Sequence, residues 1–169
     1  MLDFSSKRVK MIFTLSLIAV ISSVIFTLLV IKLHVPDLIY LHSASIFLYL
    51  TSAYFAKKGN LKIARLLYFI FINTGIVATA SYIGPDGGVE FMLMFALSLP
   101  FMVFSFRNEK KLIAVFSSAS ILLWIALYLT NFNLITTSKI DVETASNFIY
   151  PVSIITTLFL VTFQLMYYS

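Results

Sequence analysis

Residues 63–106 read IARLLYFIFINTGIVATASYIGPDGGVEFMLMFALSLPFMVFSF, two apolar runs divided by the ten-residue stretch YIGPDGGVEF at 82–91. That stretch holds one proline, three glycines, Asp86 and Glu90, in a chain with seven acidic residues in all. Each flanking run approaches the roughly 20 residues that a helix needs to cross a bilayer core of about 30 Å. If the runs are membrane spans, the stretch is the hairpin between them. If they are core helices of a soluble globule, the rest of the chain must supply a polar shell to cover them.

The rest of the chain supplies no such shell. Of 169 residues, 60% are hydrophobic and 11% charged, with a mean hydropathy of +1.00. A soluble domain carries roughly 25% charged residues, and a globule of this size cannot hide so much apolar surface from water. Further runs of the same length follow the pattern. Six spans are predicted: Met11–Ile31, Leu38–Ala56, Ile63–Ile83, Gly88–Phe106, Leu112–Phe132 and Phe148–Tyr168. None shows the period-2 alternation of barrel strands, and helices satisfy their own backbone inside lipid. The expected fold is an all-α membrane protein, a six-helix transmembrane bundle forming one domain. Short loops should set successive helices side by side.

Charge sets the expected orientation. Lys7, Arg8, Lys10, Lys57, Lys58, Lys62, Arg65, Arg107, Lys110 and Lys111 fall on one side of this topology, with Asp3 and Glu109. Lys32 and Lys139 fall on the other, with Asp37, Asp86, Glu90, Asp141 and Glu143. The positive-inside rule then places both termini in the cytoplasm. The net charge of +5 is accounted for by topology and anionic-lipid contact, so no nucleic-acid partner is expected. The first run is too long for a signal-peptide core, and no small-residue cleavage site follows it. The sixth helix ends in Gln164, Met166, Tyr167, Tyr168 and Ser169 without a basic flank; the expectation is that it continues into a cytoplasmic partner domain.

Within the hairpin, Gly84-Pro85-Asp86-Gly87 reads as a type I turn, with Pro85 fixing φ at its second position. Gly88 allows an immediate reversal, and Glu90 lies in the first turn of the next helix, where the macrodipole favours an anion. One reading is a turn kept out of lipid by its charges. The other is an acidic rim over a cavity.

Polar residues recur at steps of three and four, which put side chains on one helix face. They are Ser16, Ser23 and Thr27; His42, Ser45, Tyr49 and Ser52; Asn73 with Ala80; Ser117, Ser120, Trp124 and Tyr128; and Tyr150, Ser153, Thr157 and Gln164. These faces should turn inward. Small hydroxylated residues also allow close helix approach and hydrogen bonds of about 0.6 kcal/mol across a seam, so packing alone explains most Ser and Thr positions. His42, Tyr49, Asn73, Trp124, Tyr150 and Gln164 are larger. His42 lies about 6 Å into its helix by the rise per residue, and an ionisable group there marks a candidate site. Such residues suit a pocket for a small amphiphilic ligand. Aromatic rings would hold its tail, and His42, Asn73 or Glu90 its polar head. Pro100 removes a backbone donor near mid-span, and a kink there would serve as a hinge or a packing adjustment.

No enzyme motif is present: no Gly-rich phosphate loop, no His-Glu-x-x-His, no Gly-x-Ser-x-Gly. Without cysteine there are no disulfides or thiolate metal sites. The two histidines, His34 and His42, lie on or near one helix and do not make a bis-histidine haem site. No span carries the arginine series of a voltage sensor. A transporter would show repeats and midplane charges, which are missing, so a transporter or channel subunit is the weakest alternative. No catalytic residue, cofactor or metal is expected.

Six spans with both ends inside, a last helix pointing into the cytosol, and the block YIGPDGGVEFMLMFALSLPFMVFSFRNEKKLI, most specifically Gly84–Lys111, resemble a bacterial sensor module. It is similar to the six-helix N-terminal domain of quorum-sensing histidine kinases that detect α-hydroxyketone autoinducers. A similar domain anchors some six-span class III adenylate cyclases. The resemblance implies a homodimeric multi-pass receptor in the bacterial inner membrane, with a small lipophilic ligand in the bundle. It also implies a sixth helix that drives a cytoplasmic signalling domain in cis. The family's ligand contacts, aromatic and small polar residues in the later helices, correspond here to Trp124, Tyr128 and Tyr150. The output would be a kinase, or alternatively a cyclase.

Overall fold

The computed structural model describes residues 4–33 and 35–168; His34 and Asp3 lie outside them. The described residues are 85% helix, and among them there is no strand. The helices are α1 (Phe4–Leu33), α2 (Pro36–Lys57), α3 (Leu61–Ile83), α4 (Met92–Val103), α5 (Lys110–Leu129) and α6 (Tyr150–Tyr168). Among the described residues, five helical segments are long and apolar enough to cross a membrane; the segment Val89–Val103 is apolar but shorter.

The difference at the fourth run has a local cause. Sequence periodicity predicts a span over Gly88–Phe106, but Pro85–Gly87 and Val89–Phe91 are 3-10 turns and the α-helix begins only at Met92. It ends at Val103, where Phe104 turns extended (φ −99°, ψ 161°). Twelve residues cover about 18 Å at 1.5 Å per residue. Pro100 therefore lies in the last turn rather than at mid-span. The carbonyl it leaves without a backbone donor is that of Ala96, four residues earlier. Next to it, the Leu97 carbonyl accepts a hydrogen bond from Ser117 Oγ at 3.0 Å.

The entry to α6 also departs from a regular helix. A single α turn, Val142–Thr144, leads into a π-helical turn, Ala145–Ile149, where the Tyr150 N–H donates to the Ala145 carbonyl. Pro151 explains the widening. It has no N–H for the carbonyl of Asn147, and its ring would clash with that oxygen in a regular helix. Asp141 caps the α turn, accepting the Thr144 N–H at 2.8 Å. That backbone hydrogen bond, with a lesser side-chain one, holds the Asp141 carboxyl below its ordinary range. Because the folded value is depressed, the cap holds above the ordinary carboxylate range and is lost only as pH falls through the lowered value. The hydrogen-exchange protection factor of the Thr144 amide should therefore persist at pH of about 4 and fall below it. In Asp141→Asn it should not change across that window.

Two compact units divide the chain at Gly75, a boundary within α3: Met1–Gly75 and Ile76–Ser169. In the first unit, α1 and α2 pack along their length. Ser52 Oγ donates to the Ala64 carbonyl at 2.9 Å and lies 3.0 Å from Ser16 Oγ, with Ala53, Ala56 and Ala64 buried nearby in sequence. These small residues are what close helix approach requires. In the second unit, α4 packs against α5 and α6. Ser98 Oγ donates to Gln164 Oε1 at 2.8 Å, and the Phe104 and Phe116 rings stack 5.5 Å apart.

Around an apolar core that includes Tyr68, Phe69, Phe95 and Leu99, the chain also buries many polar residues and exposes large apolar ones. Ser16, Ser23, Ser45, Ser52, Asn73, Ser117, Ser120, Ser153, Thr157 and Gln164 are buried. Ile21, Ile25 and Leu28 on α1, Leu122 and Leu129 on α5, and Ile155, Leu158 and Phe159 on α6 are exposed. The small polar residues of these stripes mostly turn inward, as their spacing predicts, whereas Tyr128 and Tyr150 remain exposed; an apolar exterior of this kind is matched to acyl chains.

Candidate functional site

The first unit carries His42, Tyr49 and Asn73, all buried. His42, on α2, stacks on Phe26 of α1 with ring centroids 5.6 Å apart, and its Nε2 is buried with no hydrogen-bond partner. Tyr49 and Tyr68 lie 5.7 Å apart in a tilted pair. Asn73 Nδ2 donates to the Phe69 carbonyl one turn back at 2.9 Å, a local bond that fixes the side chain along its own helix.

The second unit carries Glu90, Trp124, Tyr128 and Tyr150. The turn between α3 and α4 is built as its residues demand. Pro85 opens a 3-10 turn closed by the Gly87 N–H to the Gly84 carbonyl at 3.4 Å, the i to i+3 bond of a type I turn. Gly88 then takes φ +63°, ψ 14°, a left-handed conformation that glycine adopts without penalty. The start of α6 closes against this turn. A Cβ on Gly88 would stand 2.7 Å from Tyr150 Cδ2, and one on Gly87 would collide with the Ile83 side chain and meet Ile149. The Phe91 and Tyr150 rings meet edge to face at 6.4 Å. The far side is tied by the long connection: Ser138 Oγ donates to the Ile83 carbonyl, and the Lys139 N–H donates to the Tyr82 carbonyl, each at 2.9 Å. Lys139 Nζ also sits 5.2 Å from the Tyr82 ring centroid, within cation–π range.

This geometry corrects the reading of Glu90 as a surface rim. Asp86 is exposed at the tip, but Glu90 is only 3% exposed and its Oε2 is buried without a hydrogen-bond partner. Glu90 also precedes α4, in a 3-10 turn, rather than standing in the first α turn. Ser81 Oγ, Ser153 Oγ and Trp124 Nε1 are likewise buried and unpartnered. Trp124 is half-buried and meets Tyr128 in a T-shaped contact at 6.0 Å. Tyr128, placed on an inward face by its spacing, is 54% exposed, its ring against Phe132 at 5.3 Å. Tyr150 is 41% exposed. Ser81 escapes the sequence stripes because the repeat from Asn73 is traced to Ala80. A step of eight from Asn73 also returns to that face and would have found it.

Among the described residues no group of three or more His, Asp or Glu side chains is placed to hold a metal ion. Compared with protein-family models, curated proteins and solved structures, the chain has no significant match.

Proposed function

We propose that the chain is the membrane sensor domain of a bacterial signal-transducing receptor. Its five long apolar helices, together with Val89–Val103, form six spans in the cytoplasmic membrane, both ends inside. A small amphiphilic ligand binds in the outer half of the bundle, and α6 carries the response to a cytoplasmic histidine kinase, or in second place to an adenylate cyclase.

One observation carries this reading. The second unit buries four polar atoms, on Ser81, Glu90, Trp124 and Ser153, without a partner. Each such atom costs about 1–3 kcal/mol, and a purely structural membrane bundle gains nothing by keeping them. A ligand that supplies the missing bonds in one bundle arrangement and not another shifts the balance between the two, as a sensor requires.

The test joins this chain to a kinase or cyclase reporter and records output against ten-carbon amphiphiles that differ only in head group. A saturable response to at least one is expected, and Trp124→Ala should weaken it about tenfold, the equivalent of 1.4 kcal/mol, at unchanged expression. Indifference to the whole panel would contradict the sensor reading. An unaltered dose response would remove Trp124 from the site.

A further inference from the structure

In the middle of α3 the helical ladder is held twice. In a regular helix the carbonyls of Phe69, Ile70 and Phe71 accept the N–H groups of Asn73, Thr74 and Gly75, four residues on. Here side chains reach the same three oxygens. Asn73 Nδ2 donates to the Phe69 carbonyl at 2.9 Å. Thr74 Oγ1 donates to the Ile70 carbonyl at 2.8 Å and lies 3.4 Å from that of Phe71. The hydrocarbon core holds no water, so a bend that draws the backbone N–H groups away would orphan these carbonyls at high cost. Asn73 and Thr74 hold replacement donors already in place. Hydroxyl side chains bonded back to the preceding turn bend helices, and they satisfy the backbone groups that a bend frees inside a membrane.

Gly75 completes the arrangement. Of the five glycines, it is the one inside an α-helix; the others lie in the turns after α2 and before α4. Glycine is less favourable than alanine in a helix because its backbone leaves the helical conformation more readily. In membrane helices glycine commonly serves the close approach of a neighbour, and that reason is missing at Gly75. Among the described residues, a Cβ there would meet only Tyr49 Oη beyond its own helix, at 4.0 Å, an ordinary van der Waals separation. What the glycine adds is freedom of the backbone. The two compact units also divide at Gly75, so the replacement donors and the free backbone coincide with that boundary.

We propose that residues 73–75 are a flexure in α3, at which residues 61–74 turn relative to residues 76–83 while the carbonyls of Phe69, Ile70 and Phe71 keep a donor. The device is independent of the ligand reading above.

A bend of about 20° at the end of residues 61–74, a length of about 21 Å, displaces the far end of the helix by about 7 Å. Because the chain contains no cysteine, spin labels on Lys57→Cys and Asn108→Cys, both exposed, report this movement. Double electron–electron resonance on the full chain in nanodiscs should show two distance components. Gly75→Ala should lower the less populated one about fivefold, by the difference in helix propensity. Thr74→Val keeps the β-branched shape at an exposed position and removes the replacement donor; it should lower the same component about threefold. Thr51→Val removes an equivalent bond on α2, from Thr51 Oγ1 to the Phe47 carbonyl at 2.8 Å, where no glycine follows, and should change nothing. If Gly75→Ala does not fold, Thr74→Val decides by the same criterion. A single narrow component in the chain that retains Gly75 and Thr74, or a second component that neither variant lowers, would overturn the proposal. An equal fall with Thr51→Val would overturn it as well.

Discussion

Ser52→Leu is expected to destabilise the first unit by about 3 kcal/mol, whereas Ser52→Ala should cost only about 1.2 kcal/mol. The contrast follows from what Ser52 does. It has no exposed surface, and its hydroxyl reaches both the Ala64 carbonyl and Ser16 Oγ. Within a membrane seam such hydrogen bonds are worth about 0.6 kcal/mol each, because the alternative state also finds partners. Steric room is worth more. Adding methylenes to a filled seam costs typically 1–3 kcal/mol, and the lost hydrogen bonds bring the total to the upper end. Denaturation in mixed micelles reads both variants. Equal, small losses would mean that the seam is loose and that the serine serves hydrogen bonding alone.

Gly88→Ala should cost a similar amount, about 3 kcal/mol, from two separable sources. A side chain in the left-handed region loses about 1–2 kcal/mol. The new Cβ would also stand 2.7 Å from the Tyr150 ring, an overpacking worth about 1–2 kcal/mol. Removing the ring should remove only the second part. In a Tyr150→Ala background the glycine substitution should therefore cost about half as much, a coupling that a double-mutant cycle measures directly. Full additivity would mean that α6 does not close on the turn as described.

Much of the helical architecture is legible in the amino-acid pattern, for physical reasons that also show where it stops. Long apolar runs and three- and four-residue polar steps depend only on local geometry, so the helices and their buried stripes follow from them. Ser16, His42, Ser52, Asn73, Ser153 and Gln164 all turn inward. What periodicity does not contain is closure. Glu90 reads as an acid at the rim of a cavity, and nothing within its own segment reveals that it is only 3% exposed, beside a turn on which the start of α6 closes. Tyr128 reads as inward because its step from Trp124 is regular, yet α5 ends one residue later and the ring swings to Phe132. The short α4 was concealed by continuous hydrophobicity, which does not distinguish a 3-10 turn such as Val89–Phe91 from an α-helix. The π turn before Tyr150 did leave a signal, in Pro151.

Because the chain contains no cysteine, each engineered thiol is a unique reporter of which side of the membrane it occupies. Lys57→Cys, Asp86→Cys and Asn108→Cys place one at each of three successive exposed connections, for labelling in intact cells with a membrane-impermeant maleimide. Six crossings with both ends inside predict that Asp86→Cys reacts in intact cells, while Lys57→Cys and Asn108→Cys react only after permeabilisation. Labelling of Asn108→Cys from outside would show that α4 does not cross. Labelling of all three from the same side would contradict a membrane-spanning bundle altogether.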